Sequence, residues 1–580
     1  DLHYPLRRQR QMCIRDSSKM DMSPMLNAYP DSVENNIEGM LGFLQKEEAQ
    51  DIFGSFYILP SIFNTDLDRG FSIIDYNLNE IYATENDLDK LKELGINLKF
   101  DFVLNHASVL SKQFQDIIKK GQESEYKDFF INWNKFWEGK GEMTEEGYIQ
   151  PYPELIQKMF FRKPGLPILM VRMPNGENVP YWNTFYQEVR YDKVQEQDLM
   201  QALQLQYLTA LEIAKMVNDQ LEKGVIPANV ELGRFEKYKK QVVEYVESHR
   251  KYLGQMDLNI KSPLVWEYYD DTLCTLAEYG AKIVRLDAFA YAPKEPGEKN
   301  FLNEPGTWNL LERIQQLADK YELTLLPEIH SSYEEKTYEI LSQKGYMAYD
   351  FFLPGLIIDA FEEQSGEMLE KWAQEILDKQ INVVNMLGCH DGIPLLDLKG
   401  LIKDEQIQRL IDTVVGRGGF VKNLHGQKNV YYQVNATYYS ALGEDDRKML
   451  IARAVQLFMP GKPQVWYLDL FAGKNDYEAV RRAGAGGHKE INRTNLSMED
   501  IEEALKKDVV MTQLKLLRFR KNFPAFEKMN NIKIQAVGST ICFTWENEGY
   551  IARLNADFRT YKFKVEGIEP QGDTVFNLEN

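Results

Sequence analysis

The chain has 580 residues, 44% of them hydrophobic, and 88 Asp and Glu against 68 Lys and Arg give a formal net charge of −20. The length exceeds an ordinary domain and allows a large core with insertions and an added module, while the charge argues against nucleic acid or an anionic membrane surface as a partner. The four cysteines, Cys13, Cys274, Cys389 and Cys542, are too few and scattered for a disulfide framework or a metal knuckle, so we expect a cytoplasmic protein.

The first residues, 1–17, carry four arginines and no apolar core of the kind found in secretory signals. They resemble the translation of a sequencing-library adapter, and we interpret them as a non-native extension, with a native basic tail as the alternative. Beyond them, we find no apolar run long enough to predict a membrane span. The sequence leaves the oligomeric state open between a monomer and a homodimer.

Short runs typical of buried strands alternate with longer helical patterns from about residue 25 to about residue 475, as expected for repeated βα units around a parallel sheet. Eight strands close a TIM (β/α)8 barrel. We predict eight here: MLNAY (25–29), SFYILP (55–60), LKFDFVLNH (98–106), KIVRLDAF (282–289), TLLPEIH (324–330), YMAYDFF (346–352), NVVNMLGCHD (382–391) and QVWYLDL (464–470).

The spacing of these strands predicts inserted subdomains after the third and seventh strands. After about residue 525, short alternating runs predict a C-terminal antiparallel β domain. The predicted segments are the barrel at 18–104, 257–391 and 444–525, an inserted subdomain B at 105–256, a smaller subdomain B′ at 392–443 and the C-terminal domain at 526–580.

The second part of subdomain B, about 190–250, reads as a helical insertion. Apolar residues recur at helical spacing from Met200 to Val217, and a second such face runs from Phe235 to Val246. We expect a helical hairpin that packs on the barrel wall, because amphipathic faces usually bury on their own protein. A partner-binding arm is the alternative.

Two carboxylates at the ends of consecutive predicted strands have the chemistry of a retaining glycosyl transfer. Such a reaction needs a carboxylate nucleophile and a protonated carboxyl about 5–5.5 Å apart. Asp287 has Arg285 two residues earlier on the same face of its strand, which favours an ionised, oriented nucleophile. Glu328 follows an apolar run and Pro327, where burial is expected to raise its pKa toward that of a general acid.

Further polar side chains end two other predicted strands. His390 and Asp391 follow the seventh strand, and Asp101, Asn105 and His106 follow the third. Neutral imidazoles and an extra carboxylate suit sugar hydroxyls and an oxocarbenium-like centre. One such residue alone is more often structural, but their ordered recurrence at strand ends predicts a single carbohydrate-active site.

These blocks carry a family resemblance. DFVLNH, QMDLN, VRLDAFAY, PEIH and GCHD resemble, in this order, the signature regions of glycoside hydrolase family 13, the α-amylase family. LDAFAYAPKEPG, NFLNEP, CHDGI, YYQVNATYYSALG, PGKPQVWY, AGKND and EINR resemble its sucrose phosphorylase branch more specifically. The resemblance implies a retaining α-glucoside phosphorylase that forms α-glucose 1-phosphate through a covalent β-glucosyl-enzyme.

The same resemblance implies a role for individual residues. Asp287 would be the nucleophile, Glu328 the acid/base and Asp391 the transition-state stabiliser. The residues that would bind glucose are Asp68, His106, Arg285, His390, Gln433 and Arg493. The residues that would bind phosphate or the acceptor are Arg162, Lys163, Tyr291, His330 and Tyr432.

The loop FFRKPGLP departs from the sucrose-specific pattern, which resembles PRPGLP at this point, and Val430-Tyr431 stand where sucrose phosphorylases carry an Asp-Leu pair. An added cation and a lost acid predict an anionic acceptor, either fructose 6-phosphate from sucrose 6′-phosphate or glycerate from glucosylglycerate. The alternative is that Arg162 pairs with a surface carboxylate.

Two other functions remain open from the sequence. One is an α-glucosidase or transglucosidase of the same family, and the other is a non-catalytic binding barrel, which has no need of three mutually repelling carboxylates. The sequence predicts no metal, since the histidines lack ligand spacing, and no cofactor other than inorganic phosphate as co-substrate. A small sugar and phosphate are the expected partners.

Overall fold

The computed structural model describes residues 21–423 and 431–580, without the side chains of residues 422–423 and 431–432. The predicted extension at residues 1–17 lies outside this range. Among the described residues, no helix is both long and apolar enough to cross a membrane.

Eight parallel strands form a nearly closed barrel, which confirms the predicted fold class. Their order around the barrel is β5-β4-β3-β2-β1-β8-β7-β6, with the seam between β5 and β6. The strands are β1 Met25–Ala28, β2 Ser55–Ile58, β3 Asn97–Val103, β4 Ala281–Asp287, β5 Thr324–Pro327, β6 Ala348–Asp350, β7 Val383–Met386 and β8 Lys462–Trp466.

The register of β3 and β4 already places site residues side by side. Arg285 on β4 pairs with Asp101 on β3, and Asp287 pairs with Val103. Paired residues of neighbouring strands point to the same face of the sheet. The side chains of Arg285 and Asp101 therefore point to the same face of the sheet.

Helices cover the outside of the barrel and begin where local capping permits. Thr84 and Asp87 form a capping box at the start of Glu85–Glu93, and Pro263 occupies the first turn of Pro263–Glu278. The α-helices up to β6 are Ile37–Leu44, Glu85–Glu93, Lys112–Lys120, Trp133–Phe136, Pro153–Ile156, Glu196–Leu203, Tyr207–Leu221, Lys239–Ser248, Pro263–Glu278, Gly306–Lys320 and Thr337–Gln343. Those after it are Leu353–Glu363, Glu367–Asp378, Asp404–Gly416, Tyr438–Ala441, Asp446–Phe458, Tyr467–Leu470, Tyr477–Ala483, Met498–Ala504 and Asp508–Asn522.

Short antiparallel pairs of strands extend the loops at the carboxyl end of the barrel. His106–Ser108 follows β3 and pairs with Arg250–Asp257, which also pairs with Gln187–Tyr191. The other pairs are Phe63–Thr65 with Ile73–Leu78, Gly141–Met143 with Ile149–Pro151, Ile168–Arg172 with Asn178–Trp182, and Phe420–Asn423 with Tyr431–Asn435.

The helical insertion differs from the prediction in two respects. The first predicted helix is split into Glu196–Leu203 and Tyr207–Leu221, because Gln204 takes a left-handed conformation with φ of 54°. The apolar faces bury each other rather than the barrel wall. Their cluster, with Leu199, Ile213 and Val242 at its centre, is separate from the barrel core.

The C-terminal domain is a five-stranded antiparallel sheet, Ile532–Val537, Thr540–Asn547, Tyr550–Asp557, Lys562–Ile568 and Thr574–Glu579. This sheet confirms the antiparallel C-terminal domain that the alternating runs after residue 525 predicted. Along Thr540–Asn547, residues on one face are buried, and Trp545 donates from Nε1 to the backbone oxygen of Phe458 at 2.8 Å. The sheet therefore shares one hydrophobic core with the barrel.

Candidate active site

The three predicted catalytic carboxylates meet at the carboxyl end of the barrel. Asp287 ends β4, while Glu328 and Asp391 follow β5 and β7. A pocket there is lined by six of the predicted site residues: Arg285, Glu328, His330, His390, Asp391 and Gln433. Arg285 links this pocket to Asp287, since Nη1 lies 2.9 Å from Asp287 Oδ1 and Nη2 lies 3.0 Å from Glu328 Oε1.

Arg285 also binds a third carboxylate, that of Asp101, which the sequence analysis noted among the polar residues that end the third predicted strand. Its Nη1 lies 2.5 Å from Oδ1 of Asp101, and the hydroxyl of Tyr57 donates to Asp101 Oδ2 at 2.6 Å. Both Arg285 and Asp101 are buried. One guanidinium therefore orients both candidate catalytic groups and neutralises charge between three carboxylates.

The pKa of Glu328 shifts in the opposite direction from the one predicted, because Arg285 and His330 both interact with its carboxylate. Although burial raises it, the pKa of Glu328 is lowered to about 2 by the charge of Arg285 and a hydrogen bond from His330. Burial, with the charges of Glu328 and Asp101, raises the pKa of Asp287 well above its usual range in spite of Arg285, so the prediction that Arg285 keeps Asp287 ionised is also corrected for the substrate-free pocket. The sequence showed the apolar run before Glu328 but not the two cations that the fold brings to it.

His330 lies between two carboxylates. Its Nε2 is 3.3 Å from Glu328 Oε1, its Nδ1 is 3.2 Å from Asp397 Oδ2, and its ring stacks on Phe351 with centroids 3.9 Å apart. Burial alone would lower the pKa of His330, but the charge of Asp397 and the bonds to Asp397 and Glu328 raise it to about 10. The two carboxylates that flank His330 therefore favour the charged form of its imidazole.

The two other predicted histidines are buried and share Phe71 as a neighbour. His106 Nε2 lies 3.0 Å from the backbone oxygen of Phe71, and His390 stacks on the Phe71 ring with centroids 5.0 Å apart. Burial lowers the pKa of His106, and it lowers that of His390 to about 3 against the opposing charge of Asp391. Neutral imidazoles can both donate to and accept from sugar hydroxyls.

Asp68 and Arg493 lie on two loops joined by Arg69. Arg493 donates from Nε to the backbone oxygen of His390 at 2.9 Å and forms its ion pair with Glu490 at 3.2 Å. Arg69 in turn binds the backbone oxygen of Arg493 at 3.0 Å and Glu490 at 3.1 Å. Asp68 and Arg69 both have positive φ, 50° and 47°, so this loop is strained next to the pocket.

Lys489 was missed by the sequence analysis, although it directly precedes the EINR block. Its Nζ lies 2.6 Å from Oδ1 of Asp391. Burial lowers the pKa of Lys489, but the charges of Asp391 and Asp68 outweigh that effect and raise it. The candidate stabilising carboxylate thus has a cation on one oxygen and His390 Nε2 3.3 Å from the other.

Two of the predicted phosphate and acceptor residues, Arg162 and Tyr291, contact each other. Arg162 donates from Nη1 to the hydroxyl of Tyr291 at 3.0 Å, and its guanidinium lies 4.9 Å from the centre of the Phe185 ring, which contacts His106. Lys163 donates to Asn183, and burial lowers its pKa to about 8.

Gln433 lies in the segment before the last barrel strand and lines the pocket. Gln433 accepts from the backbone N–H of Gly392 at 3.1 Å, which directs its amide to the loop that carries Asp391. The side chain of Tyr432, and Val430 with it, lie outside the described residues.

A buried ammonium bridges Asn105 and Asp257 of two signature regions. Lys294 Nζ lies 3.1 Å from Asn105 Oδ1 and 2.9 Å from Asp257 Oδ2.

The pocket also contains three residues with the spacing of a metal site. Possible ligand atoms of Glu328, His330 and Asp391 lie within 4.8 Å of one another. Arg285 and Lys489 already bind these carboxylates, so a divalent cation would face two fixed positive charges.

Comparisons with known proteins show which family the chain resembles. A family model described as the α-amylase catalytic domain matches residues 51–161. The chain is 49% identical over 550 residues to a sucrose 6(F)-phosphate phosphorylase of Ilumatobacter coccineus, covering 93% of this chain and 95% of that one. It is 33% identical to a second sucrose 6(F)-phosphate phosphorylase, from Thermoanaerobacterium thermosaccharolyticum, covering 95% and 98%.

A solved structure is similar over the same extent. The crystal structure of the sucrose 6F-phosphate phosphorylase from Thermoanaerobacter thermosaccharolyticum has a TM-score of 0.78 and 32% identity, and the match covers 97% of this chain and 98% of that one.

Proposed function

Because the chain belongs to the α-amylase family, glycoside hydrolase family 13, as a phosphorylase of its sucrose phosphorylase branch, we propose that it cleaves sucrose 6F-phosphate with inorganic phosphate. The products are α-glucose 1-phosphate and fructose 6-phosphate. The enzyme needs no cofactor for this reaction, since phosphate is the second substrate and the reacting groups are side chains.

The reaction requires an ionised Asp287 and a protonated Glu328, the reverse of the proton distribution that the charges of the substrate-free pocket favour, so a proton passes from Asp287 to Glu328 as the substrate binds. In the first step, an oxygen of the ionised Asp287 attacks the anomeric carbon of the glucosyl unit. The bond from that carbon to the fructosyl oxygen breaks, and the proton of Glu328 passes to the leaving oxygen. Asp391 stabilises the positive charge that develops on the ring. The negative charge of the bound substrate raises the pKa of the nearby Glu328, which opposes Arg285 and His330 and favours the protonated form required here.

In the second step, a phosphate oxygen attacks the same carbon and the bond to Asp287 breaks. The carboxylate of Glu328 accepts the proton of the attacking phosphate, which restores the starting state. Two displacements at one carbon retain its configuration, so the product is the α-anomer.

The observation that carries the choice of an anionic acceptor is the position of Arg162. It donates to Tyr291 beside the pocket, and the next residue, Lys163, is a second cation on the same loop. The chain as a whole carries a net charge of −20, so a local pair of cations is what attracts and orients a sugar phosphate there. Glucosylglycerate is the second anionic donor that this pair could accept.

The test is a set of initial rates for sucrose 6F-phosphate, sucrose, glucosylglycerate and glucosylglycerol, with glucose 1-phosphate as the readout. We expect the highest kcat/KM for sucrose 6F-phosphate and a loss of about 10-fold or more in Arg162→Ala, as for removal of a charged hydrogen bond, with little change for sucrose. Lys158→Ala is the matched control, because Lys158 is an exposed cation of the same segment that pairs with Glu298.

Phosphate dependence separates this function from the α-glucosidase alternative. Strong glucose release that is indifferent to phosphate would show a glycosidase or transglucosidase instead. Asp287→Asn is expected to reduce every one of these rates to background, since the covalent bond to the sugar can no longer form. Undiminished turnover in this variant would refute the assignment of the nucleophile.

A further inference from the structure

We propose that Asp397 is a positioning residue that keeps His330 doubly protonated and aimed at Glu328, so that the pocket has a fixed positive charge where Glu328 and phosphate meet. The proposal rests on the proposed function for its role in phosphorolysis. The contact on which it depends, His330 Nδ1 to Asp397 Oδ2 at 3.2 Å, does not depend on that function.

The hydrogen-bonding capacity of an imidazole leads to this assignment. Each ring nitrogen of His330 faces a carboxylate, Glu328 at 3.3 Å and Asp397 at 3.2 Å. An ionised carboxylate only accepts hydrogen bonds, and a histidine donates from both nitrogens only as the imidazolium. The stacked Phe351 ring, 20° from the plane of the imidazole, holds both nitrogens in this orientation.

Asp397 is itself held rigidly. It is 6% exposed and lies in the short 3-10 helix Leu396–Leu398, which the buried Leu395 and Leu398 anchor against the helix Leu353–Glu363. The anchor point is Gly355, where an added Cβ would lie 2.5 Å from Leu398 Cδ1 and 3.0 Å from Leu395 Cδ2. The backbone that carries Asp397 is therefore anchored, and its carboxylate approaches His330 from a fixed point of the fold.

The charges around His330 favour its protonated form. Glu328 and Asp397 bind its two nitrogens, and a donor atom of Asp391 lies within 4.8 Å of one of them. The opposing cations, Arg285 and Lys489, are bound to Glu328 and Asp391. Burial lowers the pKa of His330, but Asp397 and Glu328 outweigh it and raise the pKa to about 10.

Such an imidazolium has a use in both steps of the reaction. After Glu328 has given its proton to the leaving oxygen, the Nε2–H of His330 stabilises the resulting carboxylate. When phosphate enters, the same positive charge offsets the repulsion between the dianion and the carboxylates of the pocket. His330 keeps its protons throughout, so its role requires a pKa above the working pH.

The experiment measures the titration of His330 directly, by NMR of histidine labelled with 13C at Cε1. The chain has seven histidines, and His330→Gln identifies the signal. We expect His330 to stay protonated beyond pH 9 in the parent enzyme. In Asp397→Asn and Asp397→Ser we expect it to lose a proton near or below its ordinary pKa of about 6.5, because burial is then less strongly opposed.

The kinetic readout is the KM for phosphate, taken as the ratio of variant to parent at each pH so that the titration of phosphate itself cancels. The ratio should rise by about 10-fold or more between pH 6 and pH 8, as one charged contact is lost. Asp87→Asn is the matched control. Asp87 is a buried carboxyl whose partners, Thr84 and Lys90, are outside the pocket, and we expect its ratio to stay flat.

An unchanged His330 titration in both folded variants would overturn the proposal, and so would a lowered pKa with a flat KM ratio. If the enzyme released no glucose 1-phosphate from any donor, the proposed function would fail. The NMR titration would still decide whether Asp397 holds the proton on His330, so the two failures are distinguishable.

Discussion

At the scale of single residues, the site depends on cations that are each shared between several oxygens. Arg285 binds Asp101, Asp287 and Glu328, and Lys294 binds Asn105 and Asp257. The contact between Arg285 and Asp287 was predictable, because the two residues lie two positions apart on one strand and point to the same face. The contacts of Arg285 with Asp101 and Glu328 were not predictable, because these two carboxylates come from other strands.

Lys294 has a consequence for stability. Its side chain is the cation between two signature regions, so Lys294→Met would leave the buried Asp257 without its counter-charge, at a cost of about 3–5 kcal/mol. We expect a lower Tm in this variant by calorimetry.

In the parent enzyme we expect EDTA to leave the Tm and kcat unchanged, because the ammonium of Lys294 already provides the positive charge between the two signature regions. A Tm that falls in EDTA and recovers with calcium would contradict this account.

At the scale of elements, the helical insertion is a small packing unit of its own. Helical periodicity predicted where its helices lie, since buried residues recur on one face of Tyr207–Leu221. It did not predict what this face packs against. The choice between the barrel wall and a second helix depends on how the segments dock, and here they dock on each other.

We therefore expect mutations in the core of this unit to lower its local stability and to leave the stability of the barrel unchanged. Ile213 is fully buried, and Ile213→Ala should cost about 2–5 kcal/mol of local stability through the lost contacts and the cavity. Hydrogen exchange should accelerate in residues 194–246, while kcat stays unchanged. Leu208→Ala is the control on the same helix, since Leu208 is 70% exposed. Equal acceleration in the barrel strands would show that the unit is not independent.

At the scale of the whole molecule, the barrel and the C-terminal sheet share one core. Trp545 connects them, because it is fully buried, contacts Phe526 and donates to the backbone oxygen of Phe458 in a helix of the barrel. A shared apolar interface couples the unfolding of two domains. We therefore expect one cooperative unfolding transition for both.

Trp545→Ala tests this coupling. It should cost about 3–5 kcal/mol and lower the Tm of the whole chain, while kcat per folded molecule is retained, since Trp545 lies outside the pocket. Val575→Ala, at a position 53% exposed in the same sheet, is the control. Differential scanning calorimetry decides the matter, because a separate early transition for the C-terminal sheet alone would contradict the shared core.

By itself, the sequence determined the eight barrel strands, the family and the strand ends that carry Asp287, Glu328 and Asp391. These features follow from local patterns, because a few consecutive residues are enough to indicate a buried strand, and the last side chains of that strand lie at the end of the barrel. Only the tertiary structure decided how the charges pair. Asp397 with His330, Lys489 with Asp391 and Lys294 with Asp257 join segments far apart in the chain. The pKa of Glu328 depends on such pairings, so burial read from its neighbours in sequence predicted the wrong direction.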